Sequence, residues 1–282
     1  MKHPAEMIIH QYLDKASSGQ TTVSTSTVNQ ICRDVRTAVV KQFGGGNKRD
    51  GFAFRMSNVG RPSCQLWFEK NKPQEALPKP TTFVMNMMLG DIVEAVFKGI
   101  LKEAGVQYED SKRVTLDIGE DSPQRVVTGE YDIVIDGAVD DVKSASDWSY
   151  RNKFESFDTL KDGDAFGYVS QLAGYAKASG KKAGGWWVVN KQNGSFKYVP
   201  ADELDVEEEV DKIKSNIKAV DKFERCFEPV EETFRGKPTG NKILPITCKF
   251  CSYRKACHPS LQELPQKMSK AKDPKIVAYV DA

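Results

Sequence analysis

Long apolar runs are missing from this 282-residue chain. No stretch approaches the roughly 20 residues of a membrane span, and Met1 to His10 lacks the apolar core and cleavage site of a signal peptide. The chain therefore reads as intracellular, with no membrane partner. Strong net charge is also missing: the formal balance is +2, so nucleic-acid binding cannot be argued from overall charge. No internal repeat, no long low-complexity tract and no P-loop are visible, which excludes a nucleotide-driven motor within this chain. A disulfide framework does not suit a reducing compartment, so the six cysteines point to metal or cluster ligation, or to plain burial.

What is present includes a locally basic stretch. Arg33, Arg36, Lys41, Lys48, Arg49, Arg55, Arg61, Lys70 and Lys72 face only Asp34, Asp50 and Glu69 over that span. The stretch reads either as a basic surface or as an ordinary solvated face. Helical spacing of apolar positions covers 6–16 and 28–43, with the second helix closed by Gly44-Gly45-Gly46. Cys32 inside it reads as a small buried hydrophobe. A turn and short amphipathic helix at 57–69, a Pro-rich connector at 72–82 and a helix at 83–104 closed by Gly105 come next. Gly90, one turn before Glu94, would let another backbone approach.

Strands are expected at 113–118, 125–135 and 138–144, with Asp136-Gly137 as a hairpin turn. A helix over 158–179, a second hairpin around Asn193-Gly194 and a charged helix over 201–225 follow. From Phe227 onward, periodicity is poor and Pro, Lys and Cys are frequent, so this part needs a staple to be ordered.

Chemistry concentrates in TGEYDIVIDGAVDDVKSAS, 128–146. Alternation along a strand puts Asp141 and Lys143 on one face and turns Val142 the other way. Asp132 reaches the same face if the hairpin closes in normal register. Two carboxylates and a backbone carbonyl are hard oxygen donors suited to Mg²⁺ or Mn²⁺. The lysine beside them could orient or help deprotonate a water, or offset charge on a phosphoryl transition state. An ordinary charged hairpin is the alternative. Asp140 should face away from Asp141 as an exposed or turn carboxylate, and Asp136 reads as turn chemistry. Gln171 and Tyr175, at i and i+4, project an amide and a phenol from one helix face, and Glu94 supplies a third carboxylate.

The order Gly90-x-x-x-Glu94, Gly129-x-x-Asp132, Asp141-x-Lys143, Gln171-x-x-x-Tyr175 resembles the RecB-like branch of the PD-(D/E)xK nuclease superfamily, over roughly Ser57 to Cys257. The resemblance implies an α/β fold: a restriction-endonuclease-like core with a central mixed β-sheet flanked by helices, plus an N-terminal helical part and a C-terminal cluster-binding segment. It implies Asp132, Asp141 and the Val142 carbonyl as metal ligands, Lys143 as the catalytic lysine, and Gln171 and Tyr175 as substrate-placing residues. Glu94 stands where many members have His, which leaves open whether it is a direct ligand or a helper of a second metal. The corresponding division is a helical extension at 1–56, a nuclease core with its staple at 57–260 and a tail at 261–282.

Near the end, Cys248-x-x-Cys251-x5-Cys257-His258 lies between Pro245 and Pro259. Three soft ligands need a fourth, and Cys64 or His258 could supply it. RecB-like nucleases that carry an iron–sulfur cluster resemble this arrangement, which implies Cys64, Cys248, Cys251 and Cys257 around a [4Fe–4S] cluster. Structural zinc through the late cysteines and His258 is the alternative, and Cys226 is expected to pack under the last long helix. The function implied is a Mg²⁺- or Mn²⁺-dependent DNA exonuclease acting on linear or single-stranded DNA in recombination, repair or phage DNA processing. It would work in the cytoplasm of a bacterium or phage-infected host, beside a separate helicase, single-strand-binding or recombination protein. A structure-selective endonuclease and a non-catalytic, zinc-stapled nucleic-acid-binding module are the alternatives. Trp148 is the tryptophan best suited to base stacking; Trp67, Trp186 and Trp187 suit core packing.

Overall fold

The computed structural model describes residues 3–44, 51–120 and 124–280. In chain order the elements are α1 (Pro4–Ser17), α2 (Thr25–Phe43), α3 (Ser63–Asn71), α4 (Thr81–Glu103), β1 (Glu109–Asp117), β2 (Val126–Ile135), β3 (Ala138–Ala145), α5 (Phe157–Asp162), α6 (Tyr168–Ser179), β4 (Lys182–Asn190), β5 (Phe196–Pro200), α7 (Val206–Ala219), β6 (Val230–Phe234), β7 (Lys237–Ile243), α8 (Ile246–Lys249), α9 (Arg254–Cys257), β8 (Gln262–Pro265) and β9 (Ile276–Tyr279). The chain divides into two compact units. One comprises 1–60 and 80–215, the other 61–79 and 216–282. Helices α1 and α2 thus belong to the same unit as the main sheet rather than forming an extension, and the segment bearing Cys64 joins the C-terminal unit.

In the first unit, five strands run in the order β1-β2-β3-β4-β5, making a mixed sheet flanked by helices. Only β3 and β4 are parallel, joined by a crossover that carries α5 and α6. Asp136 and Gly137 both take positive φ, 51° and 77°, which closes β2 onto β3 in a two-residue turn matching the strand twist. One sheet face is apolar: Ile133, Ile135, Val142 and Trp187 pack with Ile9 of α1 and Phe97 and Leu101 of α4. Burial of this cluster, not local propensity, fixes the register, because a one-residue slip would turn Val142 outward and Asp141 into the core.

Several sequence expectations are corrected here. The helix over 158–179 is two helices, broken where Gly167 adopts φ +76° and its Cα comes within 2.6 Å of where a Gly60 side chain would begin. Left-handed backbone cannot continue an α-helix. The helix over 201–225 starts late, because Asp205 Oδ1 accepts the N–H groups of Glu207 and Glu208, and it ends at Ala219. Cys32 is exposed rather than buried. Gly90 admits no close backbone: a Cβ there would meet only Ser144 Oγ, at 3.6 Å. Of the basic stretch and the glycine run, Gly45, Gly46, Lys48, Arg49 and Asp50 lie outside the described residues; Lys41, Arg61, Lys70 and Lys72 are in ion pairs with Asp91, Glu69, Asp221 and Glu75.

The second unit carries a four-stranded sheet, β6-β7-β9-β8. The segment 261–282, expected to be a tail, supplies two of those strands. Arg235 and Gly236, at φ 50° and 77°, turn β6 into β7, and Leu244, Leu261, Ala278 and Val280 make a small core. Glu232 is buried beneath it as an acceptor for Thr239, Asn241 and Tyr279. Short strands, of which β7 and β8 bury no side chain and β6 only one, leave little periodic signal, so this sheet is not legible in the sequence. Among the described residues no helix is long and apolar enough to cross a membrane.

Candidate functional site

Three of the sequence-derived site residues meet on the polar face of the β2–β3 hairpin. The register that pairs Ile133 with Asp140 sets Asp132 opposite Asp141. Asp132 Oδ2 accepts the Val142 backbone N–H at 2.7 Å, and Lys143 Nζ stands 2.5 Å from Asp141 Oδ2. Asp141 is buried, and its Oδ2 is held by the Lys143 ammonium. Burial, reinforced by the Asp141 charge, pushes the Asp132 carboxyl up to about 7. For Lys143, burial pulls downward, but Asp141 and Asp132 outweigh it and hold the ammonium above the usual lysine range.

Glu94 enters from α4. Burial and then the Asp132 charge raise its carboxyl, while Lys98, one turn on, pairs with it at 2.8 Å. Lys98 also reaches Asp110 at 3.0 Å and is itself buried. Its partnership was readable as an i, i+4 Glu–Lys pair. From α6, Gln171 Nε2 donates to Tyr175 Oη at 3.0 Å. Tyr175 is buried, and burial followed by the Asp141 charge keeps its phenol protonated far above its ordinary range. Gly129 is required by this packing: a Cβ there would lie 2.6 Å from Met56 Cβ and 2.7 Å from Tyr175 Cε1.

Asp140 contradicts its expected role. It is fully buried on the opposite face, accepting from Tyr198 Oη at 2.8 Å and Trp187 Nε1 at 3.1 Å, and burial pushes it up to about 7. Strand alternation turned it away from Asp141, but the helices on that face cover it, so it is a core carboxyl.

In the second unit, Cys64, Cys248, Cys251 and Cys257 line one cavity with Pro62, Phe68 and His258. Cys226 lies beside them rather than under α7. Its Sγ accepts the Cys64 backbone N–H at 3.1 Å, and hydrogen bonding from Cys64 lowers the Cys226 thiol to about 6. His258 is buried with Nε2 unpartnered. Among the described residues no group of three or more His, Cys, Asp or Glu side chains is arranged to hold a metal ion. The donor sets nevertheless suit two different groups: the hard carboxylate oxygens of Asp132 and Asp141 in the first unit, soft thiols around one cavity in the second.

No family model and no curated protein matches the chain. A solved structure described as "Crystal structure of SSO0001" aligns with a TM-score of 0.43 at 13% identity, covering 82% of this chain and 96% of that one.

Trp148 is 64% exposed beside the hairpin, whereas Trp186 and Trp187 are fully buried. Trp67 packs on Phe68 and Phe223. Sequence reading missed one group near Lys143: Lys153, Asp164, Phe166 and Tyr168. No spacing rule links them, since they come from a helical turn at Ser149–Lys153 and from the loop into α6.

Proposed function

We propose that this chain is a metal-dependent deoxyribonuclease, an exonuclease of the RecB-like iron–sulfur type built on a restriction-endonuclease-like core and acting on linear or single-stranded DNA. The observation that carries the reading is the convergence of Asp132, Asp141 and Lys143 on one hairpin face, with Asp141 buried against the Lys143 ammonium. Asp132 and Asp141, with the Val142 carbonyl and Glu94, would hold Mg²⁺ or Mn²⁺. Such an ion lowers the pKa of its water and offsets charge on phosphoryl oxygens.

The chain's own groups do the rest. Lys143, beside the Asp141 carboxylate, would serve as a cation and donor to a phosphoryl oxygen. Gln171 occupies the acceptor side of Tyr175 Oη, which leaves the phenol proton to point at substrate. Cys64, Cys248, Cys251 and Cys257 would hold a [4Fe–4S] cluster, which supplies a cross-link between α3 and the C-terminal loops. A zinc staple is the second reading, favoured by one observation: the unpartnered Nε2 of buried His258 in the same cavity.

The test compares end-labelled linear duplex, closed circular and single-stranded DNA with Mg²⁺ or Mn²⁺. Loss of linear and single strands with circles intact is expected. Digestion of circles would replace the exonuclease with a structure-selective endonuclease. Stability of all three substrates in both metals would leave the non-catalytic, stapled nucleic-acid-binding module.

A further inference from the structure

Lys153 is a lysine in an unusual position. Its side chain is 11% exposed, and its ion partner Asp164, 10% exposed, stands at 3.8 Å, beyond hydrogen-bond reach. Asp164 Oδ2 accepts the Val169 N–H at 2.8 Å, while Oδ1, the oxygen facing Lys153, takes no hydrogen bond. The Lys153 ammonium lies over aromatic faces: 4.4 Å from the Tyr168 centroid, 4.9 Å from Phe166 and 6.0 Å from Phe154. Phe154, Tyr168 and Phe166 form a stack with interplanar angles of 23° and 22° and centroid spacings of 6.0 and 5.7 Å. The inner ring, Phe154, is buried, and the outer ring, Phe166, is 40% exposed. Lys143 Nζ sits over the same Tyr168 ring at 5.0 Å. One ring thus carries the ammonium groups of both lysines.

A lysine held largely out of water is costly unless it is paired, and this pairing is loose. Burial holds the Lys153 ammonium below the usual lysine range, Asp164 pulling it back and Lys143 pushing the same way as burial. An anion arriving between the two lysines would gain more from Lys153 than Asp164 does, and the exposed outer ring of the stack would lie beside it. Phosphate next to an aromatic platform is the pattern of single-stranded nucleic-acid binding. A purely structural ion pair would be expected to close to about 2.7–2.9 Å.

We propose that Lys153 and Phe166 form a nucleotide subsite flanking the scissile position, Lys153 contacting the neighbouring phosphate of a single strand and Phe166 stacking on its base. This rests on the nuclease reading for what Lys143 does. Asp164 is then the resting counter-ion that the phosphate displaces. Lys153 is a binding residue, and its loss should act on affinity before turnover.

The experiment measures binding of a fluorescein-labelled single-stranded oligonucleotide to the full chain in Ca²⁺, across a salt series, for wild type, Lys153→Met, Lys153→Arg, Phe166→Ala and Asp164→Asn. Lys153→Met should weaken binding about tenfold and lower the slope of log K against log salt by about 0.7, the contribution of one phosphate contact on a single strand. Lys153→Arg should retain most of the affinity. Phe166→Ala, at a half-exposed site that threatens folding little, should weaken binding about fivefold. Asp164→Asn should tighten it several-fold by removing the competing anion while its amide oxygen keeps the Val169 bond. A structural lysine would not produce that gain. Unchanged Kd and salt slope in Lys153→Met, Phe166→Ala and Asp164→Asn overturn the subsite. The two readings fail separately: DNA cutting in Mn²⁺ with Lys153-independent binding removes the subsite alone, and Lys153-dependent binding with no cutting removes the nuclease alone.

Discussion

The Asp132 carboxylate takes the Val142 backbone N–H at 2.7 Å, across the hairpin and at the centre of the Asp141–Val142–Lys143 run. This bond fixes the Asp132 side chain to the strand that carries both other members of the trio. One oxygen of Asp132 is committed to it. Removing the carboxylate therefore costs a cross-strand tie whatever else the side chain does.

Lys143→Ala and Asp132→Ala should each lower Mg²⁺- or Mn²⁺-dependent hydrolysis by at least about 100-fold, the usual scale for losing a charge-stabilising group. DNA binding should largely survive. Single-turnover cleavage of labelled linear DNA reads the first, fluorescence anisotropy the second, and a Lys143→Ala protein that cuts at the wild-type rate removes the mechanism.

The two glycines of the motif should behave oppositely. Gly129→Ala puts a Cβ against Met56 and Tyr175 with no room to yield, costing about 1–3 kcal/mol and displacing the Tyr175 ring. Gly90→Ala meets only Ser144 Oγ at 3.6 Å and should be neutral or stabilising, by up to about 1 kcal/mol of helix propensity. Urea unfolding of the two variants decides it.

Asp140 should leave a mark on stability against pH. Its folded carboxyl is raised to about 7, whereas in the unfolded chain it ionises near 4. Over that interval the unfolded state gives up its proton first, so stability falls as pH rises from about 4 to about 7 and levels above, by an amount on the order of 4 kcal/mol. Asp140→Asn should reduce that slope whatever its absolute stability, leaving the share of Asp132, whose carboxyl is raised over the same interval. Thermal melts in chelator at several pH values supply the comparison.

Protein purified without oxygen should be brown and contain iron, and Cys64→Ser, Cys248→Ser, Cys251→Ser or Cys257→Ser should bleach it. A colourless protein holding one zinc, lost in His258→Ala but kept in Cys64→Ser, would establish the zinc staple instead. Absorbance spectra and elemental analysis separate the two.

The sequence by itself determined the hairpin and what it presents. Asp136-Gly137 dictated a two-residue turn, and alternation then forced Asp132, Asp141 and Lys143 onto one face and Val142 onto the other. Those are local rules with a period of two, and they need no knowledge of the rest of the chain. The helical Glu94, Gln171 and Tyr175 were legible for the same reason, each by its one-turn spacing from a motif partner. What covers a face is not local. Alternation says only that Asp140 points away from Asp141; that α1 and α4 bury it with Trp187 and Tyr198 is decided by long-range packing. The C-terminal sheet and the place of Cys226 beside Cys64 likewise join residues far apart in sequence, and Lys153 meets Asp164 and Phe166 through a loop that follows no helix or strand period. Only the tertiary structure could bring them together, because their proximity comes from burying apolar faces elsewhere and leaves no periodic trace at the residues themselves.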